Sequence, residues 1–271
     1  MLLAVDVGNT NVTIGIFREE DLIATWRLAT DTRRLPDEYG LLIRSLLPLK
    51  GVDFQDVDKV AICSVVPPLT QVFEELSDTY FGVRPLIVNT GIRTGVKILY
   101  ENPRDVGSDR VVDAVAAYNL YGGPTIVVDF GTATVFDAIS RDGDYLGGAI
   151  ASGINLIAEA LFERTSQLRR VELIPPKTAI GRNTASSIQS GIIFGHVGMV
   201  EAMVRRFKAE VGDDAKVVAT GGMAPLIHKE TSVFDVVNPD LTLVGLRLIH
   251  QINADDISIK ARDNHDISAP L

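Results

Sequence analysis

Apolar residues along this chain come in short blocks separated by polar turns, and the spacing inside each block predicts an element. Residues 2–6 form a brief apolar run that stops at Gly8-Asn9-Thr10. Residues 12–17 alternate, with Val12, Ile14 and Ile16 on one side and Thr13, Gly15 and Phe17 on the other, which predicts a strand. Glu19-Glu20-Asp21 reads as a turn, and residues 22–28 return as a third strand. After Pro36, the positions of Tyr39, Leu42, Ile43, Leu46 and Leu47 predict a helix over 37–49. Residues 59–65 then read as strand, 70–81 as helix and 84–89 as strand. Three strands, helix, strand, helix, strand is the order of a mixed α/β layer architecture.

The opening pattern recurs. Leu2-Leu3-Ala4-Val5-Asp6-Val7-Gly8-Asn9-Thr10-Asn11-Val12-Thr13 can be laid without gaps over Thr125-Ile126-Val127-Val128-Asp129-Phe130-Gly131-Thr132-Ala133-Thr134-Val135-Phe136. Both read apolar strand, Asp, one apolar residue, Gly, a small polar turn and a second strand. A third strand follows each, over 22–28 and 145–150. The copies are too far apart for a solenoid and suit a duplicated domain. The second half continues with helices over 153–164 and 184–211, a strand over 216–219, the turn Thr220-Gly221-Gly222, a strand near 234–237 and a last helix from about 239 to 253. Tyr121-Gly122-Gly123-Pro124 interrupts a helix before the second copy, so the expected division is 1–122, 123–254 and a polar tail 255–271.

Composition narrows the possibilities. The 271 residues are 46% hydrophobic and 23% charged with a net charge of −9, which gives a sizeable core and argues against nucleic acid or an anionic membrane as partner. Local anion sites remain open to such a chain. One cysteine, Cys63, in an apolar run, allows no intramolecular disulfide and reads as a buried small hydrophobe. His196, His228, His250 and His265 lack zinc-site spacing. The N-terminus lacks the basic start of a signal peptide, and no stretch approaches the roughly 20 apolar residues of a membrane span, so a cytoplasmic protein is expected.

Three segments carry candidate chemistry. In the Asp-x-Gly turns, glycine admits close backbone approach and successive amides form a concave donor surface for phosphate. Asp6 is placed to hold Mg²⁺ through its waters. A single such turn reads equally well as a plain hairpin; two copies favour a nucleotide held between paired domains. No Gly-Lys-Ser/Thr P-loop and no dinucleotide turn occurs. In Gly107-Ser108-Asp109-Arg110, Ser108 is expected as N-cap, with Asp109 in the first helical turn, where the dipole favours its ionised form. An ionised carboxylate there suits a base on an alcohol, and equally an ordinary cap. Gly221-Gly222 after a strand would admit a flat group such as adenine, or form a simple strand-to-helix turn.

The double Asp-x-Gly pattern resembles the actin, hexokinase and acetate kinase superfamily. Asp6-Val7-Gly8-Asn9-Thr10, Gly107-Ser108-Asp109-Arg110, Asp129-Phe130-Gly131-Thr132-Ala133-Thr134 and Gly147-Gly148-Ala149-Ile150 together resemble the type III pantothenate kinase family, in order from residue 2 to about 250. The resemblance implies two duplicated ribonuclease H-like (actin-like ATPase) domains, each a mixed five-stranded sheet flanked by helices. It implies ATP-dependent phosphorylation of pantothenate, the first step of coenzyme A synthesis. Asp6, Val7, Gly8, Asn9, Thr10, Asn11, Val12 and Thr13 would form the first phosphate loop, with Gly131 and Thr132 in the second and Gly221 and Gly222 at the nucleotide. Asp109 would be the base. Tyr100, Gly107, Ser108, Asp109, Arg110 and Thr184 would line the pantothenate pocket. Asp129 would bind a monovalent cation, K⁺ or NH₄⁺, and a homodimer is implied, with the 184–211 helix at its interface. Val135 stands where the family often has Thr, and Ser152 where Pro is common; Thr132 and Thr134 remain as hydroxyls near the second loop. Alternatives of the same fold are a kinase for another alcohol or acid and a nucleotide-binding regulatory module, which needs no base at Asp109. An actin-like filament protein is disfavoured at this length.

Overall fold

The computed structural model describes residues 1–254, so the predicted tail lies outside the described residues. The chain forms two compact units. Among the described residues, one takes Met1–Gly95, Asn102–Ala116 and 242–254; the other takes Val96–Glu101 and Ala117–Leu241.

In the first unit, β1 (Leu2–Val7), β2 (Asn11–Arg18) and β3 (Asp21–Ala29) form an antiparallel meander. β4 (Lys59–Ser64) and β5 (Leu86–Ile87) add in parallel, giving the order β3-β2-β1-β4-β5. Helices α1 (Pro36–Leu46) and α2 (Pro67–Leu76) belong to the same unit. Leu3, Val5, Val7, Val12, Ile14 and Ile16 are buried in one core with Tyr39, Ile43, Leu47, Leu69 and Phe73. Each such side chain contributes about 1.5–3 kcal/mol through removal from water.

The second unit repeats this plan. β6 (Thr125–Phe130), β7 (Ala133–Ile139) and β8 (Tyr145–Ser152) form the meander, and β9 (Lys216–Thr220) and β10 (Val236–Val237) add in parallel. Read from its other edge, the order β10-β9-β6-β7-β8 is that of the first sheet. The core packs β6 and β7 residues such as Ile126, Val128, Phe130 and Phe136 against Ile154, Ile193, Val197 and Val200. These last come from α4 (Ile154–Glu163) and α5 (Thr184–Val211). The remaining helices are α3 (Ser108–Tyr121), α6 (Ala224–His228) and α7 (Leu241–Ile252). The described part thus has the expected two mixed five-stranded sheets with helices.

Differences from the expected boundaries have local causes. Helix α1 stops at Leu46, and the Pro48 segment continues as a 3₁₀ turn over Leu47–Lys50. Helix α2 starts at Pro67 instead of residue 70, because prolines fit a first turn whose N–H groups have no helical acceptor. Its last turn widens to a π-turn over Ser77–Phe81 and ends at left-handed Gly82. The expected strands at 84–89 and 234–237 shrink to two-residue ladders.

The division also differs from a cut at residue 122. The last helix, expected with the second domain, packs in the first unit. Thr242 Oγ1 donates to Asp113 Oδ1 at 2.7 Å, and a Cβ on Gly15 would meet Leu243 Cδ1 at 2.8 Å. Residues Val96–Glu101 join the second unit, where Leu99 N donates to the Tyr145 carbonyl at 2.8 Å. Helix α3 supplies residues to both units.

Candidate active site

The loop expected to hold phosphate is the tip of the β1–β2 hairpin. Asp6 closes β1 half-buried, while Asn9, Thr10 and Asn11 are exposed at the tip. Gly8 N–H donates to the Asn11 carbonyl at 3.0 Å and closes the turn. Val7 and Val12 pair across the ladder and are fully buried, so they would meet a ligand only through backbone. Thr30, which no motif in the sequence marked, pins this loop. Its hydroxyl donates to the Gly8 carbonyl at 2.7 Å and its N–H to the Thr10 carbonyl at 3.0 Å.

The second hairpin is one residue shorter at its tip. Val7 pairs with Val12, but Phe130 pairs with Thr134, so Thr13 opposes Asp6 while Val135 opposes Asp129. The gapless overlay of the two copies therefore slips by one residue after the turn. Val135, not Phe136, occupies the place of Thr13. Thr134 is 1% exposed, and its hydroxyl pairs with His196 Nε2 at 3.0 Å, away from solvent. It is turned away from the loop tip, whereas Thr132 is exposed there. Gly153 N–H donates to the Thr132 carbonyl at 3.2 Å, the counterpart of the Thr30 N–H bond. A Cβ at Gly153 would overlap that carbonyl, so glycine is required there.

Asp129, Gly131 and Gly221 converge. Gly221 has φ 86°, and a Cβ there would overlap Asp129 Oδ1; one on Gly131 would lie 3.5 Å from Oδ2. Two glycines thus leave a cradle around this carboxylate. Beyond Gly222, Met223 lines a cleft of about 390 Å³ with Asn155, Ala158 and Glu159 of α4 and with Arg170, Val171 and Leu173. A larger cleft of about 490 Å³ in the first unit holds none of the predicted residues. Its lining includes Glu74, Glu75, Asp78 and one Arg84, a poor match for an anion.

Asp109 sits in the first turn of α3. Its Oδ1 accepts the Arg110 N–H at 2.8 Å, and a Cβ on Gly107 would overlap that oxygen. Burial raises its pKa above the ordinary value of 3.8, against the lowering influence of the Arg110 N–H and guanidinium. The dipole argument alone predicted the opposite emphasis; desolvation outweighs it. Ser108 is not the flanking cap but the first residue of α3, and its hydroxyl donates to the Ser64 carbonyl at 3.1 Å. Arg110 is buried.

In the second unit, the Tyr100 ring lies across Gly147, whose added Cβ would touch it at 3.4 Å. Thr184 is exposed in the first turn of α5, where Asn183 provides the cap by accepting the Ser186 N–H at 2.9 Å. The structure thus groups Asp6 with Cys63 and Asp109 in one unit, and Asp129, Gly131, Thr132, Gly221 and Gly222 in the other. Among the described residues, no group of three or more His, Cys, Asp or Glu side chains is placed to hold a metal ion. No described helix is long and apolar enough to cross a membrane.

Comparison with known proteins shows the family. A family model for type III pantothenate kinase matches residues 2–206. A type III pantothenate kinase of Dehalococcoides mccartyi strain CBDB1 is 53% identical over 252 residues, covering 93% of this chain and 96% of the relative. One of Moorella thermoacetica is 52% identical over 253 residues, covering 93% and 100%. Among solved structures, a protein described as a conserved Baf family transcriptional activator from Campylobacter jejuni superposes with TM-score 0.61 at 18% identity, covering 93% of this chain and 99% of that one. The ethanolamine utilization protein EutJ of Carboxydothermus hydrogenoformans gives 0.54 at 15% identity, covering 91% and 89%. At these identities the two structures speak to the fold alone.

Proposed function

Because the chain belongs to the type III pantothenate kinase family and so phosphorylates pantothenate with ATP toward coenzyme A, we propose that Asp109 is the base of that reaction. The observation that carries this is the carboxylate itself: half-buried, held by the Arg110 N–H, and raised above 3.8 by desolvation. A carboxylate raised above its ordinary value is the stronger proton acceptor. Asp109 takes the proton from the primary hydroxyl of pantothenate as that oxygen attacks the γ-phosphorus. The bond from phosphorus to the β,γ-bridging oxygen breaks, and ADP carries away that electron pair. Positioning and charge neutralisation supply most of the acceleration in such a transfer.

The amides and hydroxyls of residues 8–11 and of Gly131 and Thr132 serve the phosphates, with Gly221 and Gly222 at the nucleoside beside the Met223 cleft. A magnesium ion fits at Asp6, since Mg²⁺ takes one carboxylate together with phosphate oxygens and waters; it would neutralise charge on the phosphates. A monovalent cation, K⁺ or NH₄⁺, fits the glycine-walled cradle at Asp129. Tyr100, Gly107, Arg110 and Thr184 serve pantothenate, with the Arg110 guanidinium facing its carboxylate. The exposed position of Thr184 at the positive end of a 28-residue helix supports that assignment.

The enzyme acts as a cytoplasmic homodimer in this reading. Gly191, Gly195 and Gly198 are exposed along one stripe of α5, and a Cβ on any of them would meet nothing within 4 Å. Glycines inside a helix cost about 1 kcal/mol each relative to alanine, and close approach of a second helix is the compensation they suit. Leu146, Ile150, Leu156 and Phe162 add exposed apolar surface in the same unit.

The test is Asp109→Asn. Pantothenate-dependent ADP release should fall by about 10²–10⁴-fold with the KM for ATP little changed. Near-native turnover in the variant would remove Asp109 from the chemistry.

A further inference from the structure

Two groups beside Asp109 take no part in the steps above. Cys63, near the end of β4, is fully buried, and its thiol donates to Ser108 Oγ at 3.3 Å. The Ser108 hydroxyl donates onward to the Ser64 carbonyl at 3.1 Å. The result is a one-directional chain, S–H to O–H to C=O, that leaves β4, passes through the first residue of α3 and returns to β4. Bonds aligned in this sense polarise one another and strengthen the set.

The thiol is protonated throughout the working range. Burial raises its pKa first, and the carboxylates of Asp6, Asp109 and Asp113 raise it further. Cys63 is also paired with Asp6 across the parallel β1–β4 ladder. The residue therefore adjoins both the strand that ends in the first phosphate loop and the helix that opens with the base. Amid three carboxylates a neutral donor is tolerated and an anion is not.

We propose that Cys63 and Ser108 are positioning residues: the thiol and hydroxyl together clamp the first turn of α3 onto β4 and so fix the pose of the Asp109 carboxylate. Ser108 then acts through Asp109 and does not bind pantothenate with its hydroxyl, which replaces the role that its place in the motif suggested. The inference rests on the reading of Asp109 as base.

The experiment is steady-state kinetics on Ser108→Ala, Cys63→Val, Cys63→Ser and the double variant Cys63→Val/Ser108→Ala, each first checked by thermal melting. Ser108→Ala should lower kcat about tenfold, the scale of a loosened catalytic geometry, with the pantothenate KM unchanged. Cys63→Val fills the space without a donor and should lower kcat in the same direction. Cys63→Ser restores a donor and should recover most of the loss. The double variant should be no slower than Ser108→Ala alone, because both residues act through one chain. A higher pantothenate KM at constant kcat in Ser108→Ala would place that hydroxyl on the substrate and overturn the proposal. Additive losses, or a serine no better than valine at position 63, would also overturn it. If a Cys63 variant melts early, Ser108→Ala decides by itself. Wild-type protein without pantothenate-dependent turnover, or an active Asp109→Asn, would instead bring down the underlying assignment, and those controls are separate from these variants.

Discussion

Burial and the helix terminus act on Asp109 in opposite directions, and burial prevails. A carboxylate whose folded pKa lies above 3.8 binds protons more tightly in the native state than in the unfolded chain. Stability contributed by this group is therefore present at low pH and is lost as pH rises through the raised pKa. Above that pKa the ionised side chain is a net cost to the fold. Asp109→Asn should accordingly melt at or above the wild-type temperature at pH 7 while losing most activity, and the advantage should vanish near pH 3. A variant that melts well below wild type at pH 7 would contradict the desolvation argument. The burial of Cys63 was legible from its apolar run, whereas that of Arg110 was not. A four-residue motif says which side chains are present, whereas the burial of a charged one depends on the packing of the folded chain around it.

At the scale of elements, the two hairpins proposed to hold phosphate are supported in parallel ways by different residues. Thr30 ties the first loop with a hydroxyl and an N–H, whereas Gly153 ties the second with its N–H alone. Thr30→Val keeps the shape and the N–H but removes the hydroxyl bond to Gly8. The KM for ATP should rise about 3- to 10-fold, the range of one hydrogen bond, with pantothenate KM unaffected; an unchanged ATP KM would detach Thr30 from the loop. The exposed glycine stripe on α5 gives a second element-scale prediction. Wild-type protein should sediment as a dimer, and Gly195→Leu, which adds bulk on the stripe, should sediment as a monomer. A Gly195→Leu protein that remains dimeric would place the interface elsewhere. Strand and helix order was readable almost throughout, since period-two alternation and the spacing of Tyr39, Ile43 and Leu47 are local signals. The one-residue slip between hairpins was not, because a gapless alignment of similar residues hides a difference in turn length that only the ladder partners of Val7 and Phe130 reveal.

At the scale of the molecule, one five-stranded plan occurs twice, and the chain's own repeat of strand, Asp, x, Gly announced it. Less legible was the division into units. The last helix lies far along the sequence from Gly15 and Asp113, the residues it packs on, and no composition shift marks that return. The grouping of chemistry follows the duplication. One unit carries Asp6 and Asp109; the other carries the Asp129 cradle and the Gly221 turn. A net charge of −9 is compatible with two anionic substrates in the proposed reading, where binding would rest on local donors, namely loop amides, the Arg110 guanidinium and cations. Turnover should rise when KCl replaces NaCl at equal ionic strength if a cation occupies that cradle, and Asp129→Asn should abolish the difference. Equal rates in both salts would leave the cradle without a cation role.

The most direct test of the account is pantothenate-dependent ADP release by wild-type protein and by Asp109→Asn, measured side by side at pH 7 with MgATP and KCl. The account predicts brisk release by the wild type and a loss of about 10²–10⁴-fold in the variant, with both proteins folded. Comparable release from the two would contradict it.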